Sequence, residues 1–219
     1  MNNILVIAPH GDDETLGCGG SLLKHKFKKD KIHLLMVTNI NQNSIWTKKQ
    51  EITRKKEINK IIKLYKFDSY HNLNYQPAKL DLVPMSELIT KIDKIINFIK
   101  PNVVYLNNPS DIHTDHQIAF KSSISCIKSF RKNYIKSILL YETLSETEYS
   151  TEELFKPNYY VDISKFIEKK IKIMNIYKSE INKFPFPRSN DAIYSLAKIR
   201  GTRIGVKYAE AFCKIFEKE

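Results

Sequence analysis

"NILVIAPHGDDETLGCGG", residues 3–20, is the stretch whose reading decides the fold. The apolar run "NILVIA" (3–8) has the length and composition of a buried strand. It runs into one His, two Asp and one Glu within residues 10–14, and Gly17, Gly19 and Gly20 follow. A strand that passes through a short charged turn into a helix is the opening unit of an α/β fold. Glu14 would sit in the first helical turn, where the helix dipole favours an acid. A cap needs one acid, however, and not three in a row beside a His. The turn lacks G-x-G-x-x-G and carries acids where a pyrophosphate would lie, so it is no dinucleotide fingerprint.

Outward from this stretch, strand-like and helix-like runs alternate. The pattern predicts helices over 15–29, 46–66, 85–99 and 115–131, and strands over 32–39, 69–74, 103–108, 137–142 and 159–163. It predicts a helical tail over 164–182, 191–199 and 206–217, with "KFPFPRSN" (183–190) as the one Pro-rich break. Alternation of this kind implies an α/β class with a mostly parallel sheet covered by helices. No repeat or linker divides the 219 residues, so a single domain spanning 1–219 is expected. Ligands of such sheets bind beyond the carboxyl ends of the strands.

The bulk composition excludes several classes. Apolar runs such as "ILVIA" are too short to cross a bilayer, which argues against stable membrane insertion. Residues 1–9 carry no charged leader pattern, so a cytoplasmic location is the expectation. Cys18, Cys126 and Cys213 are odd in number and far apart, and read as reduced thiols. The formal charge of +12 comes from 36 basic residues, of which only five are Arg. Nucleic-acid readers favour Arg forks, so no nucleic-acid partner is expected.

A second polar group, "PSDIHTDHQ" (109–117), follows the strand "VVYLNN", again at a strand-to-helix turn. His113 and His116 lie three apart with Asp115 between them. His10 and Asp13 share that spacing, and residues at i, i+3 can converge on one point. His10, Asp13 and one of His113 or His116 thus form a candidate ligand set for a divalent ion, with a coordination position left open. Asp12 would be free to act as a base beside the metal, and Asp111 or Asp115 could orient the remaining His. Gly11 would permit an unusual backbone angle at the turn.

These residues resemble a known family. "APHGDDETLGCGG" is similar to the (A/P)HPDDE(x)LG(C)GG signature of the LmbE/PIG-L N-deacetylases, and "HTDH" to their H-x-D-H motif. "YETLSETE" (141–148) and "PRSNDAIYSLAKIRGTRIGVKYAEAF" (187–212) are similar to later segments of that family. The resemblance implies a Rossmann-like three-layer sandwich and a hydrolase that removes the N-acetyl group of an amino sugar, free or in a conjugate or nucleotide sugar. It implies one Zn²⁺ per chain, or another divalent ion, held by His10, Asp13 and His116. It further implies Asp12 as general base, His113 as electrostatic stabiliser and acid, and Asp115 beside His113 tuning its charge. Arg54, with Glu57, matches a sugar-contacting segment, and relatives often form homo-oligomers. Gly11 stands where the family usually has Pro. The partner is then an N-acetylated sugar or glycoconjugate. Loops near 40–50, 75–84, 109–112 and 183–190 are expected to shape specificity. A metallophosphoesterase of nucleotides or sugar phosphates is the rival reading, which two ions per site would favour. A binding protein without turnover is a third.

Overall fold

The computed structural model describes residues 1–40, 46–151 and 153–219. Its strands are β1 (Asn3–Ala8), β2 (Lys31–Thr38), β3 (Ser69–Tyr75), β4 (Val103–Asn107), β5 (Ser137–Tyr141), β6 (Tyr159–Asp162) and β7 (Ala209–Glu217). Its helices are α1 (Asp13–Phe27), α2 (Lys48–Tyr65), α3 (Met85–Ile99), α4 (Thr114–Cys126), α5 (Ile167–Met174) and α6 (Asn190–Thr202). The strands form one sheet in the order β3-β2-β1-β4-β5-β7-β6. β1 to β5 run parallel, and β7 lies antiparallel to both β5 and β6.

Along β1, Ile4, Val6 and Ala8 enter one core and Leu5 and Ile7 the other. Both faces are covered, which is why this strand reads as a continuous apolar run and does not alternate. The first core gathers Ile58, Ile61 and Tyr65 of α2, Ile171 of α5 and Ile193 of α6. The second gathers Ile92 and Ile96 of α3 and Ala119 of α4. The result is the expected α/β three-layer sandwich, a single domain with a mostly parallel sheet.

The tail departs from its sequence reading. Residues 209–217, expected to be helical, form β7. Ala, Glu and Lys favour a helix locally, but pairing with β5 and β6 overrides that preference. The helix expected over 164–182 stops at Met174. There the Asn175 side chain donates to the Ile171 carbonyl and to Asn190 Oδ1, offering the chain an alternative to further helix. Residues 175–189 then leave the helix and cross toward the carboxyl ends of the strands.

α1 is pressed against the sheet and broken within. A Cβ on Gly17 would fall 2.2 Å from the Tyr141 ring, and one on Gly20 would fall 2.7 Å from Ile163. At Cys18 the backbone leaves helical geometry (φ −139°, ψ 17°). A break of this kind exposes polar backbone groups that must be paired when buried. The amides of Gly20 and Ser21 each donate to the Glu210 carboxylate at 2.7 Å. Lys170 Nζ donates to the Leu16 carbonyl and to Glu210 Oε1, both at 2.7 Å. One buried ion pair from α5 and β7 therefore closes both sides of the break.

Replacing Lys170 with Met would leave the Glu210 charge buried and unpaired. We expect a loss of about 3–5 kcal/mol in urea unfolding. A loss below about 1 kcal/mol would show that the pair does not support the break.

Candidate metal centre and active site

The strand order places a switch point between β1 and β4, because the chain leaves β1 toward β2 and returns on its other side at β4. Crevices beyond the carboxyl ends of such a strand pair are the usual ligand sites of this architecture. The turns after these two strands carry the two polar groups. Pro9 is fixed by its carbonyl, which accepts from the amide and hydroxyl of Thr38 at the end of β2. His10 follows directly.

His10 Nδ1, Asp13 Oδ2 and His116 Nε2 converge. His10 Nδ1 lies 3.2 Å from His116 Nε2 and 3.5 Å from Asp13 Oδ2, and His116 Nε2 lies 3.3 Å from Asp13 Oδ2. Tetrahedral ligands on bonds of about 2.0–2.1 Å stand about 3.3–3.4 Å apart, so the three atoms have the spacing of one face of a zinc polyhedron. Each ring is oriented from behind by a carboxylate. His10 Nε2 donates to Asp115 Oδ2 at 3.0 Å, and His116 Nδ1 to Asp111 Oδ2 at 2.8 Å. Asp115 also accepts from the amides of Ala78 and Leu80, and Asp111 from the Thr147 hydroxyl. These bonds put a proton on each outer nitrogen, so the inner nitrogens are the ones that would face a metal.

A second group, His10, His113 and Asp115, also brings potential ligand atoms within 4.8 Å of one another. It is the poorer set, because Asp115 Oδ2 is already shared by His10 Nε2 and the Ala78 amide and Oδ1 is held by the Leu80 amide. In the first set, Asp13 Oδ2 is aimed by the His10 amide at 2.7 Å.

The charges follow from this geometry. Burial lowers the basicity of His10, but Asp115 and Asp13 outweigh it and raise its pKa to about 9. Burial likewise opposes charge on His116, and Asp13 and Asp111 reverse that effect. Burial would raise Asp13, but His116 and His10 hold its carboxyl well below the usual range. Two imidazoles and a carboxylate packed this closely form a possible metal-binding cluster.

Asp12 lies beside this group, 3% exposed. Burial, the Asp13 charge and Glu180 push its carboxyl up to about 7, against the pull of Arg188 and Arg54. Its backbone sits at φ 157°, and its carbonyl accepts from Thr15 and Leu16 to start α1. The unusual backbone angle expected of Gly11 thus falls on Asp12, since Gly205 is the one glycine with positive φ among the described residues. A side chain at Gly11 would meet the flexible end of Met36 at 3.0 Å.

His113 is the N-cap of α4. Its Nδ1 accepts from the Asp115 amide at 3.1 Å, so the neutral ring carries its proton on Nε2. Burial, then His10 and His116, push its pKa down to about 4. Asp115, expected beside His113 to tune its charge, bonds His113 Nδ1 through its backbone amide, whereas its carboxylate is bonded to His10.

Arg54 lines the same pocket but is not an exposed helix charge. Nη1 donates to the Gly11 carbonyl at 2.6 Å and Nη2 to Ser179 Oγ at 2.8 Å, with Glu180 and Glu57 beside them. Glu57 accepts from the Lys178 amide. Arg54 thus ties α2 to the first motif and to the 175–189 crossing. Sequence reasoning assigned no role to Glu180 or Arg188, although Arg188 is one of only five Arg and lies in the Pro-rich break. Arg188 Nη1 reaches Asp12 Oδ2 at 3.1 Å and Glu180 Oε2 at 3.2 Å.

These groups line a pocket of about 350 Å³, in the size range of small-ligand sites. Met36, Ile40, Trp46 and Ile58 supply an apolar lining, and Lys79, Glu146 and Arg188 a charged one. Of the loops expected to shape specificity, 75–84 contributes Gln76 to Lys79 and 183–190 contributes Arg188. In the 40–50 loop, Ile40 and Trp46 line the pocket and residues 41–45 lie outside the described residues.

The chain is similar to several known proteins. The chain is 24% identical to a diacetylchitobiose deacetylase from Thermococcus kodakarensis, over 96% of this chain and 82% of the relative. Its fold matches a conserved protein from Thermus thermophilus at a TM-score of 0.79 and 26% identity, covering 100% of this chain and 97% of that one. It matches the N,N'-diacetylchitobiose deacetylase from Pyrococcus horikoshii, in complex with an inhibitor, at a TM-score of 0.73 and 24% identity, covering 97% and 83%. The family model described as PIG-L, GlcNAc-PI de-N-acetylase, matches residues 5–127, which hold both polar turns. The chain belongs to the PIG-L family of de-N-acetylases.

Proposed function

We propose that this protein is a zinc-dependent N-deacetylase of amino sugars, a hydrolase of linear amide C–N bonds. The observation that carries the reading is the tetrahedral-face spacing of His10 Nδ1, Asp13 Oδ2 and His116 Nε2 beside a buried, proton-accepting Asp12. The two relatives described as diacetylchitobiose deacetylases support an N-acetylated sugar as substrate.

When bound, the metal supplies Lewis-acid polarisation of the acetamide carbonyl and lowers the pKa of the attacking water. The chain's own residues do the rest. Asp12 takes the proton of the water as its oxygen bonds to the acetamide carbon. Its raised pKa suits that task near neutral pH. His113, neutral and protonated on Nε2, donates a hydrogen bond to the developing oxyanion. The C–N bond then breaks, the nitrogen takes up the proton held by Asp12, and acetate and a free amine leave. His113 thus serves as an electrostatic donor first, ahead of the acid role that its resemblance to the family implies. The pocket's apolar lining, with Trp46 and Met36, suits the less polar face of a sugar ring.

A metallophosphoesterase would need two ions bridged by carboxylates. The two candidate donor groups share His10 and no carboxylate, so the described residues offer no bridged pair.

Two substitutions test this reading. Asp12→Ala should lower kcat by about 10²–10⁴-fold in an amine-release assay while metal content stays at the wild-type level. Normal turnover would sink the base assignment. Asp111→Ala should weaken metal binding about 10–100-fold in chelator competition, because it removes the acceptor that aims His116. An unchanged affinity would remove His116 from the ligand set.

A further inference from the structure

The segment that leaves α5 early is devoted to the first motif. Tyr177 donates its hydroxyl to Glu14 Oε1 at 3.0 Å, and the Lys178 amide donates to Glu57. Ser179 accepts from Arg54, and Arg188 donates to Asp12. Glu180 stands at the centre, with one oxygen on Arg54 and the other on Arg188.

These contacts close into a ring. The path runs from the Asp12 carboxylate to Arg188, from Arg188 to Glu180, and from Glu180 to Arg54. Arg54 returns it to the carbonyl of Gly11, the peptide that precedes Asp12. Charges alternate around the ring, and both the side chain and the backbone of the Gly11–Asp12 unit are held by it. Arg188 makes the one hydrogen bond to the Asp12 carboxylate among the described residues, through Oδ2, and no described residue bonds to Oδ1. A base that must meet a water needs this division, with one oxygen anchored and the other open. Arg188 Nε is buried with no acceptor. Its position therefore serves the two carboxylates through Nη1 and leaves the Nε donor unused among the described residues.

We propose that Glu180 and Arg188 are positioning residues of the deacetylase site, which hold Asp12 in the orientation that receives the proton of the attacking water. This rests on the reading of Asp12 as the base. The ring makes residues 177–188 a third functional segment, besides the two polar turns.

The test uses the metal-loaded full chain with N,N'-diacetylchitobiose as probe, and measures kcat, KM, metal content and thermal midpoint. Arg188→Gln should lower kcat about 10–100-fold, with KM within twofold and metal content unchanged. Arg188→Lys should recover part of that loss. Glu180→Gln, nearly isosteric, should reproduce the loss without a lower thermal midpoint, and the double variant should fall no further than the worse single one. Arg188→Gln that raises KM at unchanged kcat would make Arg188 a substrate contact and overturn the proposal. So would full activity of Arg188→Gln beside an inactive Asp12→Asn, which overturns the ring alone. An Asp12→Asn variant with wild-type turnover would overturn the base assignment and the proposal with it.

Discussion

Two imidazoles from turns about a hundred residues apart meet nitrogen to nitrogen at 3.2 Å, and the rest of the structure serves that meeting. Neutral rings gain little from such an approach, and protonated rings repel. The contact persists because each ring is held from outside by a carboxylate, Asp115 behind His10 and Asp111 behind His116. Those carboxylates are anchored in turn by the Ala78 and Leu80 amides and by the Thr147 hydroxyl. The adjacency of β1 and β4 sets the distance, and the outer hydrogen bonds set the angle. A cation between the two nitrogens and Asp13 relieves the conflict, so the fold and the ligand chemistry point to the same place.

Much of this was legible in the sequence. The apolar runs, the helical spacing of Leu88, Ile92, Ile96 and Ile99, and the two strand-to-helix turns are local signals, and they survive in the structure. Both polar turns announced themselves by putting His and Asp where a strand ends. What failed was the tail. "AEAFCKIFE" carries helix-forming residues, and pairing with β5 and β6 makes it a strand. The partners of Asp111 and Asp115 were not legible either. Each lies within five residues of His113 and His116, yet Asp115 orients a ring about a hundred residues away. Spacing along the chain does not report which imidazole a carboxylate faces once the sheet has brought two turns together.

Arg54 and Arg188 show the same limit from the other side. An R-x-x-E pair on an amphipathic helix is indistinguishable from a solvated charge pair until its burial is known. Here Arg54 is 6% exposed and spans three segments. Arg188 lies within the Pro-rich break at 183–190, where no periodic pattern gives a side chain a direction. Its role depends on α5 ending early, which the local pattern of Ile and Lys residues conceals. Irregular segments that return over the carboxyl edge of a parallel sheet are where such residues collect, because rigid elements position them without burying them in the core.

The central claim is that the two turns form one mononuclear metal centre. Anomalous diffraction at the zinc edge, from crystals of the metal-loaded protein, tests it most directly. We expect one peak per chain, within bonding distance of His10 Nδ1, Asp13 Oδ2 and His116 Nε2. Two peaks in the site, or a single peak bound by His113 and Asp115 in place of Asp13 and His116, would contradict the account.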